Sequence, residues 1–160
     1  MKSNIDDVIR FIDKYDDAVV KSIARSIQEI TKLMLETVKQ YCEDVNLSNH
    51  LSNIQSEYDP ITNTGIVWTD DEVIVFKEMG TGIVGSNNPH PNPSEEFATW
   101  AYDVNKHGEE GWKYPKDDGT FGWTKGLPAS SMFYKTFNDI KDNVDPTIQV
   151  EIHKSTQNLY

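Results

Sequence analysis

Carboxylates and imidazoles are the groups in this 160-residue chain with the greatest chemical capacity, 26 of the first and four of the second. Acid–base or metal chemistry needs several such groups to converge. The carboxylates come as sequence neighbours: Glu95-Glu96, Glu109-Glu110 and Asp117-Asp118. Neighbours along an extended chain point apart, so these pairs read as solvated loops and turns rather than dyads. His50, His90, His107 and His153 lack the close spacing of zinc ligands, and Cys42 stands alone on a predicted helix. The histidines are expected in solvent. The expectation is no catalytic residue, no metal, no cofactor and no enzyme activity.

Gly80-Thr81-Gly82-Ile83-Val84-Gly85 matches the spacing of a dinucleotide-binding turn. That turn works only where a helix starts, because the helix N-terminus receives the pyrophosphate. Pro89, Pro91 and Pro93 follow at once and argue against a helix there. The glycines read instead as positions that release the chain from a strand into a loop.

Aromatic residues remain. Trp100, Tyr102, Trp112, Tyr114, Phe121 and Trp123 lie between residues 78 and 128 and are interleaved with glycine. Such rings stack on sugars or single-stranded bases, fill a satellite core, or bury against a partner. A formal charge of −11 disfavours gripping phosphates. Most of the excess lies in residues 51–160, with 17 acidic against 8 basic side chains. One cysteine forms no internal disulfide, and no run approaches the length of a membrane span. A soluble intracellular protein without membrane association is expected.

The elements that would position these residues follow from periodicity. Apolar steps of three and four predict helices near 4–14 and 17–44, with Asp16 and Asp17 opening the second. The second is long enough to offer surplus length to a neighbouring subunit. Residues 51–77 read as three short strands, the last over 72–77, with Asp70-Asp71 as a tight turn. Residues 78–128 read as a long loop or arm, with a hairpin turn at Asp118-Gly119. Residues 129–153 read as a helix and, over the alternating Thr147–Ile152, a last strand; the tail from Ser155 reads as loose. The prediction is an α+β single domain over 1–160: a long N-terminal helix packed on a small, mainly antiparallel sheet, a long aromatic, Gly/Pro-rich loop, a second helix and a C-terminal strand.

Several motifs recur together in order: Glu78-Met79-Gly80-Thr81-Gly82, Pro89-His90-Pro91-Asn92-Pro93, Tyr102 to Gly108, Gly111 to Tyr114, Asp117 to Ala129 and Met132 to Thr136. As a set, over about residues 16–152, they resemble the tail-completion or head–tail joining proteins of long-tailed bacteriophages and prophages. Met79 stands where that family usually has Phe. The resemblance implies a tail-terminator-like fold and a structural virion protein of the phage neck or tail, a minor tail component made in the host bacterial cytoplasm. It further implies a hexameric ring of this chain, contacts with a head-side connector or adaptor and with tail-terminator or tail-tube proteins, and DNA passing through without sequence-specific binding. The interface residues it suggests are Glu78, Gly80, Thr81, Gly82, Trp100, Tyr102, Trp112, Tyr114, Trp123, Gly126 and Pro128. The competing expectation is a carbohydrate-binding or cell-wall-associated module that uses the aromatic loop as its platform.

Overall fold

A computed structural model describes residues 5–116, 118–157 and 159. Asp117, the first residue of one acidic pair, lies outside them, as do residues 1–4, the predicted helix start at Asn4 among them. The fold is α+β, built among the described residues from one long helix, two two-stranded sheets and shorter helices. No helix among the described residues is long and apolar enough to cross a membrane.

The two predicted N-terminal helices are one, α1, Ile5–Asp44. Neither Gly nor Pro interrupts residues 5–44, so nothing local stops the helix at Asp16. Phe11 and Tyr15 stack one turn apart across the expected break, and Asp17 pairs with Lys21 at 3.6 Å. Forty residues at 1.5 Å rise give about 60 Å of helix. The helix ends where Asn46 takes φ 64° and the Leu47 N–H returns to the Cys42 carbonyl at 2.9 Å.

Two compact units partition the chain. The first gathers α1 up to Thr37, Gln55–Trp68 and the chain from Phe137 onward. Here strands β1 (Ile54–Asp59) and β2 (Thr64–Thr69) form a hairpin through a turn at Asn63, φ 52°. Asp59 holds that turn by accepting from the Ile61 N–H and the Thr62 hydroxyl. Gly65 of β2 packs on Thr31 of α1 so closely that any Cβ would overlap its hydroxyl. The predicted last strand is instead helix α5, Val144–Gln157. Pro146 sits in its first turn, where a missing N–H costs nothing, and Asp145 beside it suits the helix dipole. An isolated strand would leave its backbone groups unpaired, whereas a helix pairs its own. Glu151 holds α5 to α1 through Arg25 at 3.7 Å, and buried Thr156 lies within the tail expected to be loose.

The second unit comprises Val38–Ile54 and Thr69–Thr136. Val38, Cys42, Leu47, Ile54, Ile74, Met79 and Met132 form its apolar core. Burial pushes the Cys42 thiol up to about 11, with Glu78 adding to the shift; its sulfur contacts that of Met132 at 3.6 Å. The predicted third strand is helix α2, Glu72–Met79. Asp71 is its N-cap rather than a turn residue: one oxygen accepts from the N–H of Val73 at 2.8 Å and of Ile74 at 3.2 Å. Its other oxygen meets His50 and Asn53. Burial opposes ionisation of this carboxyl, but those four bonds outweigh it and hold the group at about 2.

The expected arm is not a featureless loop. It contains helix α3 (Gly82–Asn87), a 3-10 turn (Glu95–Phe97), strands β3 (Trp112–Pro115) and β4 (Phe121–Thr124), and a two-residue strand β5 (Gly126–Leu127). The hairpin expectation holds: β3 and β4 pair antiparallel with Tyr114 opposite Gly122. Helix α4, Met132–Lys141, follows and crosses from the second unit into the first.

Candidate functional site

The glycine motif makes the base of the site. It follows a helix, not a strand, and α3 begins inside it at Gly82, ahead of the prolines that seemed to exclude a helix. Those prolines only limit α3 to six residues. Its N-terminal groups are already spent on the chain itself. The Gly82 N–H donates to the Tyr102 carbonyl at 2.6 Å and the Val84 N–H to that of Lys125 at 3.3 Å. Gly82 and Gly126 lie side by side in an antiparallel bridge next to Thr81–Leu127. Both have positive φ, 60° and 108°, and a Cβ on either would run into a backbone carbonyl, that of Lys125 or Thr81. Backbone approaches backbone there with no room for a side chain.

Glu78 fixes the other side of this base. Its Oε2 accepts from the Phe133 N–H at 3.0 Å and its Oε1 from the Tyr134 N–H at 3.2 Å, so it caps α4 from 55 residues away. His90 is buried, not solvated. Its Nδ1 accepts from the Asn92 N–H, which makes Nε2 the protonated nitrogen that donates to Glu78 Oε1 at 3.0 Å. The Tyr134 ring meets the imidazole edge-on at 5.5 Å. Ser130 and Ser131 donate their N–H groups to the carbonyls of Lys77 and Glu78. Pro128 is exposed on the turn leading there.

On this base stands an aromatic cleft of about 990 Å³. Thr81, Trp100, Tyr102, Trp112, Tyr114 and Trp123, all suggested by the sequence, line it. Glu78, Gly80, Gly82, Gly126 and Pro128 are absent from the lining and belong to the support. Trp100 is pinned by its indole N–H on the Gly80 carbonyl at 2.9 Å and packs between Phe76 and Phe97, with centroids 5.8 and 5.9 Å away. Trp112 is covered on one side by His107 at 4.8 Å. Tyr114 lies across Gly122, where a Cβ would press into its ring. Trp123 and Phe121 are 60% and 69% exposed.

The loop over the cleft is tied by Asp103. Its two oxygens accept from the His107 N–H at 2.8 Å and the Gly108 N–H at 2.7 Å. Those backbone bonds hold its carboxyl below the ordinary aspartate range. Val73, Phe76, Val104 and Leu127 add aliphatic and aromatic lining that the sequence reading did not single out. Val73 and Phe76 were hidden by the strand assignment, which a helix cap at Asp71 corrects. The arrangement is a preformed apolar concavity with two lysines, Lys77 and Lys113, at its wall. The chain matches no family model, no curated protein and no solved structure.

Proposed function

We propose that this chain is a structural subunit of the neck or tail of a long-tailed bacteriophage, forming a ring that completes the tail or joins it to the head. The ordered motif set supports this reading. One structural observation carries it: those motifs converge on a single element, a glycine-and-carboxylate base that holds an aromatic cleft open and largely uncovered. Rings presented on a support of fixed backbone suit burial against another protein, where Trp and Tyr supply most of the energy. In the ring, copies of this chain contact one another, a head-side connector or adaptor, and a tail-terminator or tail-tube protein. DNA passes through without being gripped, in keeping with a charge of −11.

Particles made without the protein test the reading by electron microscopy. Full heads and separate tails are expected; finished, infectious, joined particles would sink it.

A carbohydrate-binding or cell-wall-associated module is the second reading. Its support is the concave cleft with Trp123 largely exposed, opposite Lys113 on the hairpin, and Asn105 also in the lining. Trp112 already has one face against His107, so Trp123 is the ring free to stack on a sugar. Glycan pull-down that is lost in Trp123→Ala, with folding retained, would favour this module; no binding by the unsubstituted chain ends it.

A further inference from the structure

We infer that the first turns of α1 in one copy of this chain dock into the aromatic cleft of the next copy, so that copies join head to tail. This rests on the ring-forming reading above and names the two surfaces that would make the ring.

The helix presents a convex apolar stripe. Ile5, Val8, Ile9 and Ile12 recur at steps of three and one, which puts them on one side of a helix. All four are at least half exposed, Ile5 at 74%. A helix in water ordinarily buries such a stripe. The cleft is the concave counterpart, with Val73, Phe76, Val104 and Trp123 open to solvent along it. An amphipathic helix laid in an apolar groove, anchored at i, i+3, i+4 and i+7, is a recurrent mode of recognition.

Charge favours this pairing over stripe against stripe. Residues 5–17 carry five aspartates, at 6, 7, 13, 16 and 17, against Arg10 and Lys14, and Arg10 is already bonded to Asp7 at 2.8 Å. Two such segments side by side repel. The cleft wall offers Lys77 and Lys113, and the one carboxylate among its described lining residues, Asp103, is engaged by its own loop. An acidic helix therefore meets a cationic wall in an otherwise acidic protein. Because the two surfaces differ, the contact is heterologous: each copy keeps one free stripe and one free cleft, and growth ends only by closing a ring.

Cysteine pairing tests this directly. Ile9→Cys marks the stripe and Val104→Cys, at a position 76% exposed, marks the cleft. Native Cys42 is buried, with its thiol pushed up to about 11, and does not compete. Under mild oxidant the double variant should give a ladder of disulfide-linked dimers and larger species that collapses with reductant. Each single variant should give no disulfide-linked species. An equal mixture of the two singles should give dimers and nothing larger.

Adding Ile12→Glu to the double variant should abolish the ladder while leaving the circular dichroism of the helix unchanged. Sedimentation supplies a reading without cysteines: self-association of the unsubstituted chain should be lost in Ile12→Glu. Dimers from Ile9→Cys alone would mean that stripes pair with each other, and would overturn the inference. So would the absence of linked species from a folded double variant, or equal sedimentation of Ile12→Glu and the parent. A ladder together with normally joined particles in the null mutant would remove the neck reading and leave the contact standing. Separate heads and tails without a ladder would do the reverse.

Discussion

Helix α2 has a carboxylate at each end, and the two do the same work over different reaches. Asp71 at its start caps α2 itself, two and three residues on. Glu78 near its end caps α4, 55 residues on. Each also takes one histidine, His50 or His90. The difference is what each holds in place. Asp71 starts one helix of the second unit. Glu78 ties the glycine base of the cleft, the proline-flanked His90 and the start of α4 into one cluster. Long-range capping turns a local convenience into a fixed spatial relation between segments, which a rigid docking surface requires.

Removing the long-range carboxylate is therefore the most damaging way to break the comparison. Glu78→Ala leaves the N–H groups of Phe133 and Tyr134 and the Nε2–H of buried His90 without an acceptor. A loss of about 3 kcal/mol is expected from stranded buried donors together with a missing cap. Urea unfolding reads it, and exposure of the cleft tryptophans by fluorescence should change along with it. Glu78→Gln keeps one acceptor oxygen and should recover part of the loss. Equal stability of Glu78→Ala and the parent would remove Glu78 from the support of the cleft.

Asp71→Ala comes next, at about 2 kcal/mol, within the range of lost N-caps. Its effect should stay local and leave the tryptophan emission of the folded state as it was. The same carboxylate predicts an acid dependence. Its pKa is lowered from 3.8 to about 2 on folding, so its contribution is complete above pH of about 4 and disappears as pH falls through about 2. That shift corresponds to about 2 kcal/mol. Unfolding midpoints of the parent should fall across that window relative to neutral pH. Asp71→Asn should show a shallower fall, and an unchanged slope would place the acid sensitivity elsewhere.

These two carboxylates also mark what the sequence discloses. The α1 stripe, the Asp118-Gly119 hairpin and a helix after residue 129 were legible, because periodicity and turn chemistry are local. So was the collection of aromatics that form the cleft. Asp71 was half legible: an acid before Glu72 and a Gly at position 80 are helix start and stop signals, yet the β-branched Val73, Ile74 and Val75 outweighed them. Alternation over Thr147–Ile152 misled in the same way: the segment is helical, with Pro146 in the first turn where a missing N–H costs nothing. Glu78 with His90 was not legible at all. Nothing local distinguishes a solvated histidine between prolines from one buried on a carboxylate twelve residues back. The glycine motif was read as an exit from a strand with prolines excluding a helix, yet a helix does begin there, and backbone carbonyls occupy its start.

The hairpin offers a smaller break. Gly122→Ala would push a Cβ into the Tyr114 ring, within 2.7 Å of its hydroxyl. The tyrosine must swing off the strand pair, at about 1 kcal/mol, the scale of one cross-strand contact. Tyr114 lines the cleft, so binding at that surface should weaken more than stability does. A change in stability alone, with binding intact, would show that the Tyr114 position is immaterial to the cleft.

The least change sharpens the comparison from the opposite side. Thr136 sits one turn inside the helix that Glu78 caps, fully buried, and its hydroxyl has no partner among the described residues. Where Glu78 gathers three donors, Thr136 leaves one polar atom unmatched in the same neighbourhood. Thr136→Val keeps the branched shape and removes that atom. A polar group desolvated without compensation opposes folding, so the substitution should stabilise the protein by about 1 kcal/mol. Thermal unfolding would read this as a rise in midpoint, with Thr136→Ser, which keeps the hydroxyl and loses the methyl, falling instead. If Thr136→Val were destabilising, the hydroxyl would have a partner that matters, and the contrast with the fully matched Glu78 cluster would fail.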